Sequence, residues 1–143
     1  MFEEIKNNEK VIAIIVRNDY QKLGVSFFTP NDFSQQLAFM SHEKGNIIQP
    51  HFHNKISRVI NFTKEVLFIK KGKLRVDFYD DKQNYLESRI LNAGDVILLV
   101  SGGHGFEALQ DLEMFEVKQG PFYADKDKTR FEAVEKKFIN IRK

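Results

Sequence analysis

Short apolar runs recur along this chain at roughly ten-residue spacing, and glycine, proline, asparagine or aspartate closes off each one. Residues 10–17 (KVIAIIVR) are rich in β-branched side chains, and comparable runs follow at 24–29, 36–40, 47–53, 65–70, 73–79, 85–91, 96–100, 106–109 and 112–118. A series of this kind leaves little room for helices and predicts an all-β chain, a sandwich or barrel. Lys71-Gly72 stands between two of the runs, where glycine takes the positive φ of a tight hairpin turn, so a hairpin is expected there. Residues 54–64 lack a clear period and read as a loop or short helix. Beyond Asp125 the chain is highly charged. Phe131, Val134, Phe138 and Ile141 recur there at helix-like spacing, which predicts a short helical or irregular C-terminal tail.

Composition narrows the function classes. The 143 residues suit a single domain over 1–143, and 14 phenylalanines supply a core without disulfides. There is no cysteine, which excludes thiolate zinc sites, iron–sulfur clusters and cysteine nucleophiles. Basic and acidic residues, 22 and 20, are interleaved, so no nucleic-acid footprint is expected. The N-terminal residues are acidic and polar where a secretory signal is basic and then apolar, and no apolar run approaches the ~20 residues of a membrane span. A cytoplasmic protein that does not engage membranes is the expectation.

Three of the four histidines fall in two glycine-marked segments, 45–53 (GNIIQPHFH) and 94–104 (GDVILLVSGGH). In a strand, His51 and His53 project from one face, two residues apart. Glu65 opens one later run and His104 another, so a curled sheet can aim all four side chains at one point. Imidazole and carboxylate donors suit one divalent transition metal, Fe, Mn, Ni, Zn or Cu, over calcium or magnesium. The plainer alternative makes His51 and His53 solvent-facing residues of a turn after Pro50. Glu116, between Phe115 and Val117, is either a catalytic acid or base facing the barrel interior or a solvent-facing residue. Arg58 is either a clamp for an anionic substrate group or a surface cation. His42 reads as a surface residue, and Glu107 alternates away from His104.

The segments resemble the cupin superfamily. Gly45, His51, His53, Glu65 and Gly72 fit its first motif, with residues 54–64 as an insertion where the usual spacer is three or four residues. Gly94, Gly102 and His104 fit the second, with Val100 in place of a proline and His104 one residue early. The resemblance covers about residues 36–118. It implies a jelly-roll β-barrel of six to ten antiparallel strands, with His51, His53, Glu65 and His104 as metal ligands, similar to stand-alone cupins of which some are associated with surface-polysaccharide biosynthesis.

Three functions follow as expectations. One is a metal-dependent small-molecule enzyme, an isomerase, epimerase or oxygenase acting on a sugar or polysaccharide precursor. Another is a non-catalytic sugar- or metabolite-binding cupin. The third is a metal-free sugar-nucleotide isomerase with His51 or His53 as base and a tyrosine as acid. Apolar groups on both faces of residues 65–69 and 10–16 suggest a homodimer. The 54–64 insertion, tied at both ends to ligand positions, is expected to line the substrate entrance with Arg58.

Overall fold

The computed structural model describes residues 1–143, the side chain of Asp125 apart. The chain forms two compact units, residues 1–20 with 63–143 and residues 21–62. Ten strands run in order as β1 (Phe2–Asn7), β2 (Lys10–Val16), β3 (Gly24–Phe27), β4 (Ala38–Ser41), β5 (Glu65–Lys71), β6 (Lys73–Tyr79), β7 (Tyr85–Asn92), β8 (Val96–Leu99), β9 (Gly103–Ala108) and β10 (Glu113–Lys118). The all-β expectation holds. Most strands fall where the apolar runs predict them, whereas β1 is carried by a polar segment in which Ile5 alone is buried.

The larger unit has two antiparallel sheets, ordered β1-β2-β8-β5-β10 and β7-β6-β9. Their facing surfaces share one apolar core. Ile12, Ala13, Ile15, Leu67, Ile69, Ile97 and Leu99 come from the first sheet, and Leu74, Val76, Phe78 and Leu91 from the second. Alternation fixes which side chains enter, since Leu67 and Ile69 are buried while Phe68 between them is exposed.

Three expectations are corrected. Lys71-Gly72 does not close a hairpin: β5 and β6 lie in different sheets, so the chain crosses the core at Gly72. Gly72 is required there, with φ +85° and a position at which a Cβ would lie 2.0 Å from the Asp111 carbonyl oxygen. That crossing leaves two open sheets rather than a closed barrel, because the strands on either side of Gly72 face each other across side chains instead of pairing along an edge.

The C-terminal tail is irregular, one of the two forms expected of it. It contains two short 3₁₀ turns, Ala124–Asp127 and Lys136–Phe138. Its last residues run along the open edge of β7, where the Ser88 N–H donates to the Asn140 carbonyl (2.9 Å) and the Arg142 N–H to the Ser88 carbonyl (3.0 Å). Backbone groups committed to a sheet edge are lost to a helix. Phe131 packs edge-on against Tyr79, centroids 5.0 Å apart, and the Tyr79 hydroxyl accepts from the Val134 N–H (3.1 Å).

The smaller unit pairs β3 with β4 from Gly24↔Ser41 to Phe27↔Ala38. Gln36 ties their connection, its amide donating to the carbonyls of Pro30 and Phe33, both at 2.9 Å. The strand expected over 47–53 is absent: among the described residues no ladder includes 47–62. Pro50 removes one ladder donor and constrains the residue before it.

Candidate functional site

Strand register carries Glu65 into the interior. Across the inner face of the five-stranded sheet one row reads Ala13, Leu99, Glu65, Lys118, and the row beside it Ile15, Ile97, Leu67, Glu116. Directly paired residues share a face, so the first residue of β5 and the last of β10 stand together at one end of the core. From the opposing sheet, His104 in β9 pairs with Phe78, which is fully buried, and so faces inward too. His104 therefore belongs to a strand, β9, one residue after its start.

The result is a chain of four ionisable groups. His104 Nε2 lies 3.2 Å from Glu65 Oε2, Lys118 Nζ lies 3.2 Å from Glu65 Oε1, and Lys118 Nζ lies 3.0 Å from Glu116 Oε1. Glu65 is only 6% exposed. Its hydrogen bond with His104 outweighs the opposing effect of burial and, with Lys118 adding to it, lowers the carboxyl pKa to about 2. The bonds of Lys118 to Glu116 and Glu65 raise its pKa above the ordinary lysine value. Phe106, two residues along β9, stacks against His104 with centroids 5.1 Å apart and forms an apolar wall.

The opposite end of the inner face is closed by a separate network. Arg17 donates to Glu3 (2.6 Å), to the Ile90 carbonyl (2.8 Å) and to Asp95 (3.0 Å), and Asp95 also accepts the N–H groups of Asn18 and Asn92. Arg17 stands four residues from Ala13, about 13 Å along β2. Its groups bond to one another. The Glu65 end instead combines a histidine, a lysine and two carboxylates with an aromatic wall.

His51 and His53 belong to the smaller unit, in the exposed segment without regular structure. Their rings meet edge to face with centroids 5.5 Å apart. His51 Nδ1 is 3.0 Å from the Gln49 carbonyl oxygen. A carbonyl only accepts, so Nδ1 is the donor in this contact. Arg58 is exposed in the same segment, and His42 is exposed at a hollow it shares with Leu23, Gly24 and Asn46. Glu107 turns to the outer face, as alternation predicts, and pairs with Arg75.

The donors can be tested against a metal. Two atoms bound about 2.1 Å from one ion and 90–109° apart lie about 3.0–3.4 Å from each other. The 3.2 Å between His104 Nε2 and Glu65 Oε2 falls within that span, and it is equally the length of the hydrogen bond the two groups make with each other. Within either unit, among the described residues, no three of His, Cys, Asp and Glu gather into a group able to hold an ion.

Sequence reasoning missed Lys118. Its signal was the alternation of Met114, Glu116 and Lys118 against Phe115 and Val117. The usual reading turns the apolar set inward, whereas register with Leu67 turns the polar set inward.

No family model, curated protein or solved structure matches this chain. Among the described residues no helix is long and apolar enough to cross a membrane.

Proposed function

We propose that the chain is a small metal-binding cupin, a jelly-roll domain that holds one divalent transition metal through His51, His53, Glu65 and His104 and acts on a small molecule such as a sugar or polysaccharide precursor. The observation that carries this reading is the pair formed by Glu65 and His104, which meet at 3.2 Å from opposite sheets at one end of the apolar core, beside Lys118. The jelly-roll assignment draws support from the path of the chain, which changes sheet between β5 and β6, β7 and β8, β8 and β9, and β9 and β10. A bound ion would supply Lewis-acid polarisation of a substrate oxygen. Glu65 stays ionised to receive it, Phe106 gives the substrate an apolar face, and Arg58 orients an anionic group.

Elemental analysis of protein purified without added metal tests this reading. The expected result is close to one ion per chain, lost in the His51→Ala/His53→Ala variant and reduced in His104→Ala. Stoichiometric metal in the double variant overturns the ligand set. Turnover on candidate sugars then separates an enzyme from a metabolite-binding cupin.

One observation favours a second reading. Lys118 already neutralises one oxygen of Glu65, which suits a metal-free isomerase. There His104 is the base and Glu65 stabilises the imidazolium as a proton leaves the carbon next to a carbonyl. Activity that survives exhaustive chelation selects this second reading.

A further inference from the structure

We infer that residues 42–62 are a docking surface for an anionic lipid bilayer, on which 52–62 fold as a short amphipathic helix lying in the plane of the interface. Every residue from His42 to Phe62 is exposed, and none belongs to a helix or strand. Large apolar side chains are nonetheless frequent there. Phe52 is 84% and Val59 88% exposed, and Ile47, Ile48, Ile56 and Phe62 are all more than half exposed. Scattered apolar side chains are ordinary on a surface, whereas a concentration of this kind marks an interaction site. The charge of the segment says which partner it fits. From Lys44 to Phe62 the chain carries Lys44, Lys55 and Arg58 and no acid. Two copies of the segment meeting face to face would set cations against cations, so the partner is anionic and not a second copy. Counted from Phe52, the residues Phe52, Ile56, Val59 and Ile60 recur at i, i+4, i+7 and i+8, which is one stripe of a helix. Asn54, Ser57 and Asn61 fall on the opposite side, and Lys55 and Arg58 lie between the two. Eleven residues are too few for a stable helix in water, so the segment stays irregular until an apolar phase covers the stripe. Ile47 and Ile48 precede that helix, and Phe62 leaves its stripe. A protein groove fits the stripe alone, whereas a bilayer is laterally continuous and takes these side chains too, with Lys55 and Arg58 at the level of the lipid phosphates. Lying on a bilayer needs no spanning helix, so the lack of one among the described residues does not bear on this surface. It departs from the expectation of a protein that does not engage membranes. Neither a metal nor the Glu65 cluster takes part.

Co-sedimentation of the full chain with vesicles tests this, using phosphatidylcholine alone and phosphatidylcholine with about 30% phosphatidylglycerol. Binding to the anionic vesicles should be at least ~10-fold tighter than to the neutral ones and should weaken as salt rises. Circular dichroism should show a gain of helix on binding. Ile56→Ser/Val59→Ser removes the middle of the stripe at exposed positions, where no core packing is lost, and should weaken binding to the anionic vesicles at least ~10-fold. Lys55→Gln/Arg58→Gln should weaken it about tenfold on the anionic vesicles and leave the neutral ones unchanged. No binding to anionic vesicles overturns the inference and leaves an acidic protein groove as the occupant. Binding that either double variant leaves unchanged, or that brings no gain of helix, overturns it as well. So does self-association of the lipid-free protein that Ile56→Ser/Val59→Ser abolishes, which would assign the segment to a second copy.

Discussion

Replacing Glu65 by Gln in the metal-free protein measures what the buried carboxylate contributes to folding. The folded-state pKa of Glu65 is about 2, against a reference value of 4.5. Because the folded value is depressed, the contribution is fully present above the unfolded pKa and is lost as pH falls through the folded one. The difference between those two values corresponds to about 3 kcal/mol at 1.36 kcal/mol per unit. Glutamine is a neutral stand-in for the protonated acid, so the unaltered protein should exceed the variant by about 3 kcal/mol at pH 7. At pH 3 the unfolded carboxyl is almost wholly protonated and the folded one mostly ionised, and the same linkage leaves about 1.4 kcal/mol. Urea unfolding at both pH values, with a chelator present, reads this directly. With an m-value of about 2 kcal/mol/M the midpoints at pH 7 should differ by roughly 1.5 M. A difference that is the same at pH 3 as at pH 7 would refute the reasoning, since the loss would then come from shape and not from charge. So would a difference below about 1 kcal/mol at pH 7.

Other outcomes follow from single features of the fold. Gly72→Ala places a Cβ 2.0 Å from the Asp111 carbonyl at a residue with positive φ, and should cost about 3 kcal/mol or more in chemical denaturation. Tyr85→Phe removes the hydroxyl that bonds Ser88 Oγ (2.8 Å) and accepts the Asn140 N–H (2.8 Å), and should cost about 1–2 kcal/mol while speeding hydrogen exchange of the Asn140 and Arg142 amides. The proposed homodimer uses the outer face of β5 and β10, where Phe68, Phe115 and Val117 are exposed beside the unpaired edge of β10. Those three side chains fall short of the ~800 Å² per partner of a standard interface, so main-chain pairing of two β10 edges about a two-fold axis has to complete it. Phe115→Glu should then convert a dimer into a 16.7 kDa monomer in sedimentation equilibrium, and a monomeric unaltered protein at micromolar concentration would exclude the interface.

The sequence alone determined the fold class and most strand positions, because alternation and β-branched runs are local properties and turn residues mark their ends. It also singled out Glu65 and His104. Glu65 shares its face of β5 with Leu67 and Ile69, both buried, so that polar exception was visible as one.

What the sequence left open depended on partners distant along the chain. Whether Gly72 closes a hairpin or carries the chain across the core depends on which strands flank β5, and β8 and β10 both take it before β6 can. The same pairing decided β10, where local pattern would bury Phe115 and Val117 and register with Leu67 instead turns Glu116 and Lys118 toward Glu65. The C-terminal segment carries helix-like apolar spacing, yet the open edge of β7 offers its backbone hydrogen bonds that an isolated turn of helix does not match. Local chemistry proposes an element, and the pairing available in the folded chain disposes of its faces and edges. Lys118 became part of the site only through that second step, since its local alternation with Phe115 and Val117 reads as an outward-facing set until β10 is paired with β5.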